Sequence, residues 1–190
     1  MASPAFERKT NRGRPELTTT QLSRLRIRFE PVLRRGFHLY WRFARGMTLG
    51  VRGVVLDAEN RVFLVRHGYV SGWHLPGGGV EVGETFIEAL SRELFEEGRI
   101  ALEGEPELHG IFLNSHVSPR DHVAVFVIKG FTQDRPPEPN HEIVETGFFA
   151  RDALPEGTTL GTLSRLREVL DGVKVIPTWR PEQPVAARSL

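Results

Sequence analysis

Glu84, Glu93, Glu96 and Glu97, just downstream of Gly77, Gly78 and Gly79, are the residues whose types and spacing are best suited to chemistry. From Glu84 onward Ile87, Ala89, Leu90 and Leu94 recur at three- and four-residue steps, which predicts a helix with one stripe on a core. On that helix Glu93, Glu96 and Glu97 project from neighbouring positions of one face, where like charges repel. Such an arrangement fits either a solvated acidic face or a bound cation, and hard divalent ions take oxygen ligands of this kind. Pro76 followed by three glycines lets the backbone turn sharply and leaves its amides and carbonyls open to a ligand or metal. The N-terminus of the helix follows this loop, and its free N–H groups favour phosphates.

Residues 78–100 resemble the Nudix hydrolase signature: a glycine, five residues, a glutamate, seven residues, then Arg-Glu-apolar-x-Glu-Glu-x-Gly-apolar. Gly78 stands at the first glycine, Glu84 at the first glutamate, and Arg92, Glu93, Leu94, Phe95, Glu96 and Glu97 fill the dense part without a gap. Trp73, Leu75 and Pro76 upstream are similar to the family as well. One position departs, because Arg99 stands where the family has the glycine that ends the helix. Glycine takes a left-handed conformation without steric penalty, so Gly98 is predicted at positive φ, with Arg99 extended and Glu97 at the final helical position.

The resemblance implies an α/β fold, an α/β/α sandwich with a mixed β-sheet, over roughly residues 47–172. It implies hydrolysis of a pyrophosphate bond in a nucleoside diphosphate linked to another moiety, as in a nucleotide, a nucleotide sugar or an ADP-ribose type substrate. The implied cofactor is Mg2+, with Mn2+ as a substitute, held first by Glu93 and Glu97, then by Glu96, with the Gly78 carbonyl as a backbone ligand. The family's base varies between members: here it is Glu93, or Glu142 or Glu145 from beyond the proline loop, whose plain alternative is a solvated strand edge. Arg92 is suited to orienting a carboxylate and Glu84 to bracing the glycine loop, against the bland reading of surface ion pairs worth little. Arg52 and Arg66, on strands leading to the same region, are substrate-binding candidates with Gly77 and Gly79; their rival role is solubilising the core edge. His67, His74, His116 and His122 lie near the presumed cleft, none with a metal-ligand spacing partner.

These residues need a framework. Met47–Leu56 and Val62–Arg66 read as strands paired in a hairpin across the turn at 57–60. Leu108–Leu113, His122–Ile128 and Ile143–Phe149 are strand-like, with a polar segment at 114–121 and an extended proline loop at 132–140 between them. Leu160–Leu170 reads as a closing helix with Leu163, Leu166 and Leu170 inward. The tail, 173–190, carries no such pattern and reads as loose, above all after Pro177.

The remaining composition sets limits. A chain of 190 residues with no cysteine suits one domain plus an extension, and excludes disulfides, thiolate catalysis and cysteine zinc sites. No run reaches the roughly 20 apolar residues a bilayer span needs, and the N-terminus lacks a signal peptide's apolar core, so the expected location is cytoplasmic. Residues 1–46 hold 11 Lys and Arg against three Glu, whereas the rest holds 14 against 21 acidic residues. Residues 1–17 read as disordered, while 18–46 read as partly helical, capped at Thr18, Thr19 or Thr20 and carrying Leu22, Leu25 and Phe29 as far as Pro31. This basic arm, with Tyr40 and Trp41 among its arginines, reads first as docking on its own acidic domain or on a second subunit in a homodimer. Nucleic acid or membrane contact is its lesser alternative. A catalytically weak Nudix-fold binding or regulatory module is the alternative function, and the intact carboxylates argue against it.

Overall fold

The computed structural model describes residues 46–180, so the expectations placed on 1–45 and 181–190 lie outside the described residues. Strand β1 (Thr48–Val55) runs parallel to β6 (Asp121–Ile128), with Thr48 opposite Asp121 and Val55 opposite Ile128, and β5 (Glu107–Leu113) pairs antiparallel on the far side of β6. Strand β2 (Val62–His67) lies between β3 (Trp73–His74) and β8 (Ile143–Phe149), antiparallel to both. A small ribbon joins β4 (Ile100–Leu102) to β7 (Phe131–Gln133). Among the described residues two helices, α1 (Phe86–Gly98) and α2 (Leu160–Asp171), and a 3-10 turn at Arg151–Ala153 complete the order.

The apolar runs of β2 and β6 are those of strands buried on both faces. Alternate side chains enter two cores. Val51, Val55, Phe63, Val65, Ala124 and Phe126 pack with Ala89, Leu90 and Leu94 of α1. Val54, Val62, Leu64, Phe112, Val123 and Val125 pack with Leu166 of α2. Helix, sheet layer and helix therefore stack as an α/β/α sandwich with mixed strand directions. Truncating a fully buried Leu90 or Leu94 to alanine removes about 2–5 kcal/mol.

Several expectations change. The hairpin does not form, for β1 and β2 share only the bridge between Leu56 and Val62 and then enter different sheets. On its side away from β6, β1 takes the glycine loop instead: the Val51 amide donates to the Gly78 carbonyl and the Gly53 amide to that of Pro76, both at 2.9 Å. Helix α1 begins at Phe86, not at Glu84, and Ile87 is exposed rather than part of the stripe. Strands β3, β4 and β7 are too short for a periodicity to reveal them. The segment 177–180 is docked, since Leu113 donates to Pro177 and Trp179 to Leu113 across 2.9 Å bonds.

The end of α1 reverses the expected arrangement. Gly98 is helical and Arg99 is the left-handed cap, at φ 53°, with its amide directed at the carbonyls of Leu94 and Phe95. Gly98 serves packing, because a Cβ there would lie 2.9 Å from the Phe63 ring and 3.0 Å from Ile100 Cδ1. Arg99 carries the left-handed strain and lays its guanidinium 5.1 Å from the centre of the Phe95 ring. No helix among the described residues is long and apolar enough to cross a membrane.

Candidate active site

Thr85 starts α1 through a capping box: its hydroxyl accepts from the Glu88 amide at 3.2 Å, and the Glu88 carboxylate accepts from the Thr85 amide at 2.8 Å. The helix start is thus capped by its own side chains, and it does not line the main cleft as the phosphate reading of that end required. The chemistry gathers three turns later, where α1 passes the glycine loop.

Burial separates the three adjacent glutamates. Glu97 is only 5% exposed; its Oε2 accepts from the Gly77 amide at 2.7 Å and its Oε1 lies 3.5 Å from His67 Nε2. Desolvation pushes its carboxyl up to about 7, against the opposing pull of Arg52 and the Gly77 amide. The same burial, with Arg52 and His74 nearby, pushes His67 down to about 4, so the imidazole is neutral at pH 7 and supplies no counter-charge. Glu93 is held at Oε1 by Arg92 Nη1 at 2.7 Å. Its carboxylate rests against the α-carbon of Gly78, where any Cβ would overlap it. Glu96 is the outlying member, with 59% of its side chain exposed and 3.6 Å from Arg92 Nη1.

Arg92 ties helix to loop. It donates to Glu84 through Nε at 2.9 Å and Nη2 at 3.0 Å, to Glu93, and to the Gly79 carbonyl at 3.1 Å. The Arg92 bonds to Glu84, with one from the Glu81 amide at 2.9 Å, hold the Glu84 carboxyl down to about 2. Arg52 grips the loop from β1, donating to the carbonyls of Leu75 and Gly77. Gly77 gives its amide to Glu97, and the Gly78 carbonyl already accepts from Val51 while keeping a second lone pair. The glycine loop is therefore held mainly by the protein itself. Arg66 is engaged elsewhere, donating to Glu145 at 3.2 and 2.7 Å. Glu142 has no ion pair among the described residues, and its charge bears on both Glu97 and Tyr69.

A cleft of about 640 Å³ opens beside this cluster, lined by residues that include Arg52, His67, Tyr69, His74, Gly78, Gly79, Asn114, His116, Asp121, Trp179 and Arg180. His67 meets Glu97 only through the packing of α1 against β2, and Trp179 and Arg180 come from the segment expected to be loose. Tyr69 lacks any motif around it. No local spacing signalled these four.

Among the described residues no three His, Cys, Asp or Glu side chains converge into a preformed metal cage. The donors nonetheless fit a hard cation. Magnesium commonly uses one or two carboxylates and completes its shell with waters and substrate phosphates. Glu97 is a buried carboxyl that meets one amide and a neutral ring, with the charge of Arg52 acting on it from beyond ion-pair distance. Glu93 lies one helical turn away. These two would hold the ion.

A profile of the NUDIX domain matches residues 46–169, well over half of the chain. A MutT-like protein of Streptomyces ambofaciens is 35% identical over 68 residues, 36% of this chain and 44% of its own length. An RNA pyrophosphohydrolase of Francisella tularensis subsp. mediasiatica is 42% identical over 52 residues, 27% of this chain and 34% of its own length. The chain thus spans less than half of either curated relative. Among solved structures, a MutT NUDIX hydrolase from Burkholderia pseudomallei superposes with a TM-score of 0.57 at 27% identity, covering 65% of this chain and 98% of that one. An ADP-ribose pyrophosphatase from Streptococcus suis gives 0.52 at 25% identity, covering 62% and 83%. With the signature glutamates gathered on the glycine loop and the profile spanning the sandwich, the chain belongs to the Nudix hydrolase family.

Proposed function

We propose that this protein, through the unit at roughly 47–172, is a magnesium-dependent pyrophosphohydrolase of nucleoside diphosphates linked to a further moiety, acting in the cytoplasm. The observation that carries the reading is Glu97: a carboxyl buried beside the glycine loop, pushed up to about 7 and lacking a cationic partner of its own. A bound divalent cation would supply charge neutralisation on the diphosphate and acidify a water. Glu93 and Glu97 would bind that ion, with Mn2+ as a substitute and Glu96 as an outer carboxylate. Arg92 keeps Glu93 in place and, through Glu84 and the Gly79 carbonyl, keeps the loop against the helix. Arg52 holds the other strand of the loop, with its charge turned to the cleft. Glu142, unpaired and close enough to affect Glu97, takes the proton as the water oxygen attacks phosphorus. The bridging P–O bond breaks, and a nucleoside monophosphate and the phosphorylated remainder leave. Members named for MutT, RNA pyrophosphohydrolase and ADP-ribose pyrophosphatase activity support the reaction class without choosing among substrates.

The test is phosphate or monophosphate release from nucleoside triphosphates, nucleotide sugars and ADP-ribose, with and without Mg2+ or Mn2+. Turnover that needs the cation and is lost in Glu97→Gln supports the proposal. No release from any of these compounds would favour a Nudix-fold binding module.

A further inference from the structure

Residues 176–180 follow the stretch matched by the NUDIX profile, which ends at 169, yet they form part of the cleft wall. They are fixed firmly. Beyond the two bonds to Leu113, the Ile176 amide donates to Glu168 at 3.1 Å and the Thr178 carbonyl accepts from Arg165 Nη1 at 3.3 Å. Arg165 is fully buried, 2.6 Å from Glu168, with its guanidinium 3.6 Å from the centre of the Phe112 ring. The Trp179 indole lies over Gly161, where any Cβ would overlap its Nε1, and meets Phe112 edge-on at 6.4 Å. A strap held by buried charges and a ring in a glycine notch presents its next side chains in a set place. Those side chains are Trp179 and Arg180, both lining the cleft. Arg180 and Arg52 line the same cleft, together with His74.

We propose that the 176–180 strap is a substrate-recognition element, in which Arg180 binds the phosphate chain together with Arg52 and the Trp179 ring meets the nucleoside. This inference rests on the pyrophosphohydrolase reading for the identity of the ligand. Guanidinium suits phosphate because its planar donors match the oxygens, and an indole suits any base face. The strap explains how a shared sandwich acquires a recognition surface from outside the shared region. Arg180 and Trp179 are binding residues; Arg165 and Glu168 position them.

The experiment uses the full chain and three variants, Arg180→Ala, Arg180→Lys and Trp179→Phe. Binding of inorganic pyrophosphate and of α,β-methylene ADP is measured by calorimetry with Mg2+ present, and kcat and KM on each nucleotide that the wild type hydrolyses. Arg180→Ala should weaken both probes and raise KM by about tenfold or more, as loss of a charged hydrogen bond does, with kcat within about threefold. Arg180→Lys should recover part of the loss, which a purely structural role would not produce. Trp179→Phe should weaken α,β-methylene ADP and leave pyrophosphate unchanged. Wild-type affinity in Arg180→Ala, a fall in kcat at constant KM, or equal effects of Trp179→Phe on both probes would overturn the proposal. So would a wild type that binds neither probe. A wild type that binds both yet hydrolyses no nucleotide would sink the pyrophosphohydrolase reading alone, and the affinities would still decide the strap.

Discussion

Helices α1 and α2 each bury a glutamate, and the two are treated in opposite ways. Glu168 on α2 is answered from within the protein: Arg165 at 2.6 Å, His109 at 2.9 Å and the Ile176 amide at 3.1 Å. Arg165, whose Nε finds no hydrogen-bond partner among the described residues, is covered by the rings of Phe112 and Trp179. Glu97 on α1 has one amide, a neutral imidazole and the through-space pull of Arg52 without an ion pair. Burial of a carboxylate is costly unless it is paired, so the first arrangement holds structure together and the second waits for a charge from outside. The helix ends differ too: α2 stops at Gly172, left-handed at φ 64°, whereas α1 stops at a left-handed Arg99 because its glycine is occupied with packing.

The comparison predicts effects of different kinds. Glu97→Gln and Glu93→Gln should each lower turnover at least about a hundredfold, as loss of a group acting in the transition state does. Glu97→Gln should also melt no lower than the wild type, since it removes an ionisable group from a desolvated place. Near-normal turnover in either variant would remove that residue from the metal site.

Glu168→Gln should instead leave Arg165 buried without its counter-ion and destabilise by about 3–5 kcal/mol in urea unfolding. Arg165→Met with Glu168→Leu should be milder than either single change. A single change costing under about 1 kcal/mol would erase the distinction between the two helices.

Smaller effects sharpen the contrast at the helix ends. Gly98→Ala should cost about 1–3 kcal/mol by driving a methyl into Phe63 and Ile100. Arg99→Gly should gain up to about 1 kcal/mol, reduced by loss of the contact with Phe95. A stabilising Gly98→Ala would return the cap to Gly98.

The smallest effect is one of pH. The carboxyl of Glu84 titrates at about 2 in the folded protein against 4.5 ordinarily, held down first by Arg92. The unfolded chain therefore takes up this proton first, so the stabilisation is complete above about 4.5 and fades as pH falls through about 2. The difference in melting temperature between wild type and Glu84→Gln should shrink over that window. A difference independent of pH would show that Glu84 acts by packing.

Much of the site was legible because it is local. The glycines, the one-turn spacing of Glu93 and Glu97 and the apolar stripe of Ala89, Leu90 and Leu94 all follow from short-range geometry, which chain order alone conveys. Tertiary structure decided the rest. Three glutamates of one type within five residues differ only in what the distant strands place over them, and β2 and the Gly77 amide bury Glu97 while Glu96 stays in water. The same cause undid the hairpin: β1 found a better partner in β6, a pairing 73 residues away in the chain that no turn signal reports. Arg99 became the cap because Phe63, on β2, left room at position 98 for glycine only. Local sequence sets which conformations are cheap; the contacts made across the fold decide which of them the chain adopts.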